Sequence, residues 1–195
     1  MADRGKRKPG AGGKRRSVHS RRGSDRDRRL IVSHGAQHKP NEVRPQPAPI
    51  EVLYTVGFER RPLQKLLQLL VDNGVGLLAD LRADATVPVP GFRKDRDLAL
   101  LLKELAAIDY RHEEILVPQR ELLERYRRDG NWARFEAGYL DLLRAQRVEE
   151  KLPREAYAAA RPCFLGANRS PERDYRRLAA EHLADKWKIG RIEHL

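Results

Sequence analysis

Residues 50–82 read IEVLYTVGFERRPLQKLLQLLVDNGVGLLADLR, and the hydrophobic period changes twice inside them. IEVLYTVG (50–57) is a short β-branched and apolar run closed by glycine, which predicts a buried strand. Leu63, Leu66, Leu67 and Leu70 then recur at spacings of three and four. Residues 62–73 therefore read as a helix, with Pro62 suited to its first turn and Asn73-Gly74 to its stop. VGLLADLR (75–82) is a second continuous apolar run, again a strand. Strands without polar alternation, joined through a helix, belong to a parallel sheet covered on both faces.

The alternation continues to the C-terminus. A Pro-rich loop, ADATVPVPGF (83–92), leads to a helix with Leu98, Leu101, Leu102 and Leu105 on one face. IDYRHEEIL (108–116) is a weaker strand, and ELLERYRR (121–128) begins another helical stretch. WARFEAGYLDLLRAQ (132–146) sets Trp132, Phe135, Tyr139 and Leu143 at spacings of three and four, the pattern of core packing. A helix near 153–160, the strand PCFLGA (162–167), a helix at 171–186 and a last strand in KIGRIEHL (188–195) complete the series. The expected fold is α/β: one three-layer domain over residues 50–195, its mainly parallel sheet of about five strands flanked by helices and joined by right-handed crossovers. Ligands of such folds bind beyond the carboxyl ends of the strands. Three places deserve scrutiny on that ground: 57–61, 80–82 and 166–177.

The charge of the chain is unevenly spread. Its 195 residues carry a net +12, of which residues 1–29 hold +9, residues 30–49 hold +1 and residues 50–195 only +2. Twelve cations stand in that first segment, among them Arg4, Lys6, Arg7, Lys8, Lys14, Arg15, Arg16, Arg21 and Arg22. Almost no apolar group accompanies them, so burial cannot offset ordering entropy and the segment is expected to be disordered. A Pro-rich spacer, PNEVRPQPAP (40–49), completes a basic tail and linker over 1–49. Such a tail suits the phosphates of DNA or RNA. No aromatic residue lies within residues 1–29, so the attraction would be electrostatic, without stacking.

Other classes are disfavoured. The longest apolar runs fall short of the ~18 residues of a membrane span. The start lacks the apolar segment of a secretory signal, and its glycines and aspartates do not fit a transit peptide. A single cysteine, Cys163, leaves no internal disulfide or multi-cysteine metal site, and its apolar neighbours predict a buried thiol. The six histidines form no ligand spacing. The expectation is a cytoplasmic protein with no membrane partner, no metal and no cofactor.

The polar residues at the three strand ends admit two readings each. In LGANRSPERDYRR (165–177), Ser170 before Pro171 suits a helix N-cap, whose free N–H groups bind phosphate or carboxylate with help from Arg169, Arg173 and Arg176. Glu172 and Asp174 in the same turn would instead satisfy the dipole internally. Asn168 either orients a ligand or closes the loop. Asp80 and Arg82 emerge on one face of their strand, framing a pocket or pinning a loop. Held by a guanidinium, Asp80 would stay ionised, an orienter or base rather than an acid. Glu59, just past Gly57, is the best candidate for a general base, with Arg61 beside it for an anion. Gly57 and Gly91 serve backbone needs.

These segments, in this order, resemble the bacterial "domain of unknown function 488" family over roughly residues 52–195. One branch of that family reads T-I-G-Y-E-G-R-S at its first strand; Thr55, Gly57, Glu59 and Arg61 match. Its D-V-R-x-N-P and K-P-G-F-S segments match at Asp80, Arg82, Pro90, Gly91 and Phe92, and its W-x-x-F-x-x-x-Y helix at Trp132, Phe135 and Tyr139. The C-terminal signature C-x-E-A-D-P-E-R-C-H-R is recast as GANRSPERDYR (166–176), keeping Arg176. Gly166 and Asp174 replace the two cysteines, Asn168 the glutamate and Tyr175 the histidine, while Val87-Pro88-Val89 replaces S-R-K. The resemblance implies the fold and the place of the pocket, not a reaction.

Two functions remain open. In one, a binding protein associates with DNA or RNA through its basic arm. In the other, an enzyme works on a phosphate- or carboxylate-bearing substrate in a pocket formed by Glu59, Arg61, Asp80, Arg82, Asn168 and Arg176, with Ser170 heading the helix.

Overall fold

The structure, a computed structural model, describes residues 48–83 and 95–195. The tail with its named cations, and the loop bearing Pro88, Pro90, Gly91 and Phe92, lie outside the described residues. In chain order the elements are β1 (Val52–Gly57), α1 (Leu63–Asp72), β2 (Leu77–Asp80), α2 (Asp95–Ala106), β3 (Asp109–His112), α3 (Arg120–Asp129), α4 (Trp132–Gln146), α5 (Val148–Lys151), α6 (Arg154–Ala160), β4 (Pro162–Gly166), α7 (Tyr175–Trp187) and β5 (Arg191–His194). The five strands form one sheet in the order β3-β2-β4-β1-β5, and every pairing is parallel.

The period of two along each strand divides the core between the two faces of the sheet. Val52, Tyr54 and Val56 of β1 join Leu78, Cys163 and Leu165 against Leu66 and Leu70 of α1 and Leu98 and Leu102 of α2. Leu53, Ala79 and Phe164 face the other way, onto Phe135, Tyr139 and Leu143 of α4 and Leu178 and Leu183 of α7. The inner strands are therefore apolar on both sides, which is why they carry no polar alternation. Trp132, Phe135 and Tyr139 pack as expected, in a chain of ring contacts that also takes in Tyr126 and Tyr175.

Three details differ from the reading of the sequence. The last helix starts at Tyr175 rather than Pro171, and its N-cap is Asp174, whose carboxylate accepts from the Arg176 N–H; Ser170 is not the cap. The short α5 follows α4 directly, with Arg147 at φ 51° between them. Leu105, in the last turn of α2, is 66% exposed instead of sharing the buried face of Leu98 and Leu102.

Chain direction now locates a crevice. The connections leaving β1 and β2 run to α1 and α2 on one face, while β4, seated between those strands, sends its connection to α7 on the other. Loops diverging in this way open a gap above the carboxyl ends of the strands.

Candidate functional site

Asp80 ends β2 and Arg82 follows it two residues later. Its carboxylate accepts from the Arg82 backbone N–H at 3.0 Å, from Arg82 Nε at 2.9 Å and from Arg82 Nη2 at 2.5 Å. The Tyr110 hydroxyl donates to the same carboxylate at 2.7 Å. Both members of the pair are buried, Asp80 completely. Burial alone would make the guanidinium easier to deprotonate, but the hydrogen bonds and charge of Asp80 outweigh it and the Arg82 pKa lies above its ordinary value. Burial, then the Asp80 charge, also pushes the Tyr110 hydroxyl up. The Arg82 guanidinium lies 4.9 Å from the ring centroid of Phe58, a cation–π contact that ties the end of β2 to the loop after β1.

The loop after β4 repeats the arrangement. Asp174 accepts from the Arg176 backbone N–H at 2.9 Å and from Arg176 Nη1 at 2.5 Å. Its other contact is the Asn168 N–H at 3.0 Å, and Arg176 also donates to the carbonyls of Asn168 and Arg169 at 2.6 and 3.2 Å. Both side chains are 1% exposed. Two Asp-x-Arg clips thus fold back the two central loops, each cancelling its own charge. Gly166 makes room for the second clip: a Cβ there would stand 2.7 Å from Arg176 Cδ and 2.8 Å from Asp174 Oδ1. Gly57, paired in register with Gly166, is more restricted still, since a Cβ would lie 1.8 Å from the Asn168 carbonyl oxygen.

Between these loops and α3 lies a cleft of about 270 Å³. Phe58, Tyr126 and Tyr175 give it half-buried rings, and Asn168 and Arg127 give it polar groups. A second depression of about 490 Å³ adjoins it, sharing Ala83, Leu123 and Arg127. Asn168 Nδ2 donates to the Arg173 carbonyl, and the Tyr175 hydroxyl accepts from the Ala83 N–H.

The candidate residues distribute unevenly around this cleft. Arg82 and Asn168 line it. Asp80 lies beneath it, its oxygens taken by Arg82 and Tyr110, out of reach of a substrate as a base. Arg176 is likewise consumed in its clip, so it organises the loop rather than presenting a charge. Glu59 is exposed, approaches Arg60 at 3.9 Å, and is not among the residues that line the cleft. Arg61 turns to the other side of β1, donating to the carbonyls of Gly57 and Leu195. Ser170 accepts from the Glu172 N–H at 3.3 Å in an exposed turn. The six residues expected around one pocket, and Ser170 with them, are therefore split between a buried layer, a cleft wall and two turns. Asp174, Arg127 and the three rings were not anticipated as site residues. The repeat of Asp-x-Arg at 80–82 and 174–176 was a signal for the first; the others sit on surfaces that only packing brings together.

Among the described residues no cluster of three potential ligands could hold a metal, and no helix is long and apolar enough to cross a membrane. Cys163 is fully buried, and burial pushes its thiol far above the ordinary range.

Compared with known families, residues 62–183 match the model of the domain of unknown function DUF488. The match spans more than half of the chain. The chain belongs to the DUF488 family. No curated protein and no solved structure matches it. At positions 166 and 174, where the resembled signature has cysteines, a Cβ added at Gly166 would stand 2.8 Å from the Asp174 carboxylate. In this DUF488 protein the glycine and aspartate found there serve the buried clip instead.

Proposed function

We propose that this DUF488 protein is a nucleic-acid-associated binding protein, held to phosphates by its basic N-terminal segment. The observation that carries the reading is the segregation of charge: residues 1–29 hold +9 while residues 50–195 hold +2. A nearly neutral domain with a block of cations at one end gains affinity for a polyanion through the block, by releasing counterions. The state of the strand-end polar groups supports binding over catalysis. Asp80 and Asp174 are spent on buried arginines, Glu59 is not part of the cleft lining, and Cys163 is buried.

Fluorescence anisotropy with labelled single-stranded and duplex DNA and RNA, across a salt series, tests the reading. Binding is expected to weaken steeply as salt rises, with a log–log slope of about −0.7 to −0.9 per phosphate contacted. Changing Arg4, Lys6, Arg7, Lys8, Lys14, Arg15, Arg16, Arg21 and Arg22 to Gln in the full chain should abolish most of it. Unchanged low-salt affinity of that variant would sink the proposal. An enzymatic reading, on a phosphate- or carboxylate-bearing substrate, draws support from the position of the cleft at the divergence of the β4 connection from those of β1 and β2. Turnover lost on Arg127→Ala but retained by the Gln-substituted arm would favour it.

A further inference from the structure

We infer that the cleft at the strand carboxyl ends is a subsite for one nucleobase with its attached phosphate. This deepens the nucleic-acid reading and rests on it for the ligand class. Size comes first: about 270 Å³ is below the roughly 300–1,000 Å³ of sites for drug-sized ligands, and fits a single ring system. The lining comes second. Phe58, Tyr126 and Tyr175 are half-buried residues of the lining, and aromatic faces stack on any base without reading its sequence. Their positions are stiffly held. Tyr126 contacts the Trp132 and Phe135 rings at 5.6 and 5.1 Å, Tyr175 contacts the Tyr139 ring at 5.8 Å, and Phe58 carries Arg82 on its face.

The polar groups match the edges of such a ligand. Asn168 spends its Nδ2 on the Arg173 carbonyl, which leaves Oδ1 as an acceptor for an exocyclic amine or ring N–H. Arg127 stands on the wall shared with the outer depression, is exposed, and makes no ion pair among the described residues. A phosphate leaving the cleft by that side would meet its guanidinium. The acids nearby do not oppose this: Asp174 is cancelled by Arg176, and Glu124 is engaged by Arg120 at 2.7 Å. The outer depression of about 490 Å³ leaves room for a sugar-phosphate chain to continue. The tail attracts phosphates without discrimination, whereas the cleft would admit only an unstacked base.

Isothermal titration of the full chain with AMP, adenosine and ribose 5-phosphate tests the inference. AMP should bind with one-to-one stoichiometry, adenosine more weakly, and ribose 5-phosphate not detectably. Arg127→Ala, a change on an exposed helix surface, should weaken AMP roughly tenfold while leaving adenosine unchanged, and Arg127→Lys should restore part of the loss. A single strand containing 2-aminopurine identifies the source of the base. A fluorescence change lost in Tyr175→Ala means a base within a strand; no change, with AMP still bound, means a free nucleotide. Absence of both AMP binding and a 2-aminopurine response overturns the inference, as does AMP affinity indifferent to Arg127→Ala. The Gln-substituted arm separates the two proposals, because it should lose salt-sensitive binding of long strands and keep AMP.

Discussion

A single carboxylate, Asp174, organises the loop most central to the site. It caps α7, binds the Asn168 N–H and neutralises an arginine that is 1% exposed. Asp174→Ala would leave the Arg176 charge buried without a partner, and chemical denaturation should show a loss of about 3–5 kcal/mol. The double change Asp174→Ala with Arg176→Met should recover part of it, since replacing both partners removes the stranded charge. Gly57 is restricted in another way. A methyl group there collides with the Asn168 carbonyl, and backbone cannot step aside as a flexible side chain does. Gly57→Ala should therefore destabilise by more than the usual 1–3 kcal/mol of overpacking, and amide exchange should locate the loosening in residues 166–174.

Among the elements, β5 links stability to pH. The Thr55 hydroxyl and His194 Nδ1 lie 2.7 Å apart, tying β5 to β1. Partial burial, then the charge of Arg176, holds the His194 pKa below its ordinary value. The unfolded chain therefore takes up this proton first as the pH falls. The contribution is complete above the unfolded pKa of about 6.5 and is lost progressively as the pH drops toward the folded value. His194→Gln should flatten this part of the stability profile between about pH 5 and 7, read from urea midpoints. The helix before β5 shows why element boundaries escape a sequence reading. Ser170-Pro171 and Asp174 both offer cap chemistry, and nothing local separates them. The buried Arg176 selects Asp174, because a carboxylate there satisfies the helix N–H and the guanidinium together. Elements whose apolar period ran unbroken, β1, α1, β2, α4 and β4, fell close to their expected bounds.

At the scale of the molecule, the charge is divided unequally between arm and domain. Among the described residues the core clusters begin at Ile50, and the cations of the arm are not among them, so the Gln-substituted arm should melt at the same temperature as the parent by calorimetry while losing affinity for nucleic acid. A fall in melting temperature would mean that the basic segment packs on the domain.

The α/β class, the run of helices and strands and the parallel sense of the sheet were legible in the chain, because burial on two faces imposes an apolar pattern that no local alternative produces. Uneven charge was equally plain. Strand order was not, since β4, late in the sequence, inserts between β1 and β2. Nor was the fate of the arginines: Arg82 and Arg176 looked available for an anion, yet each lies within reach of an aspartate two residues earlier in a space closed to water. Whether a charge faces solvent or is cancelled internally depends on what the rest of the chain stacks above it, and composition holds no record of that.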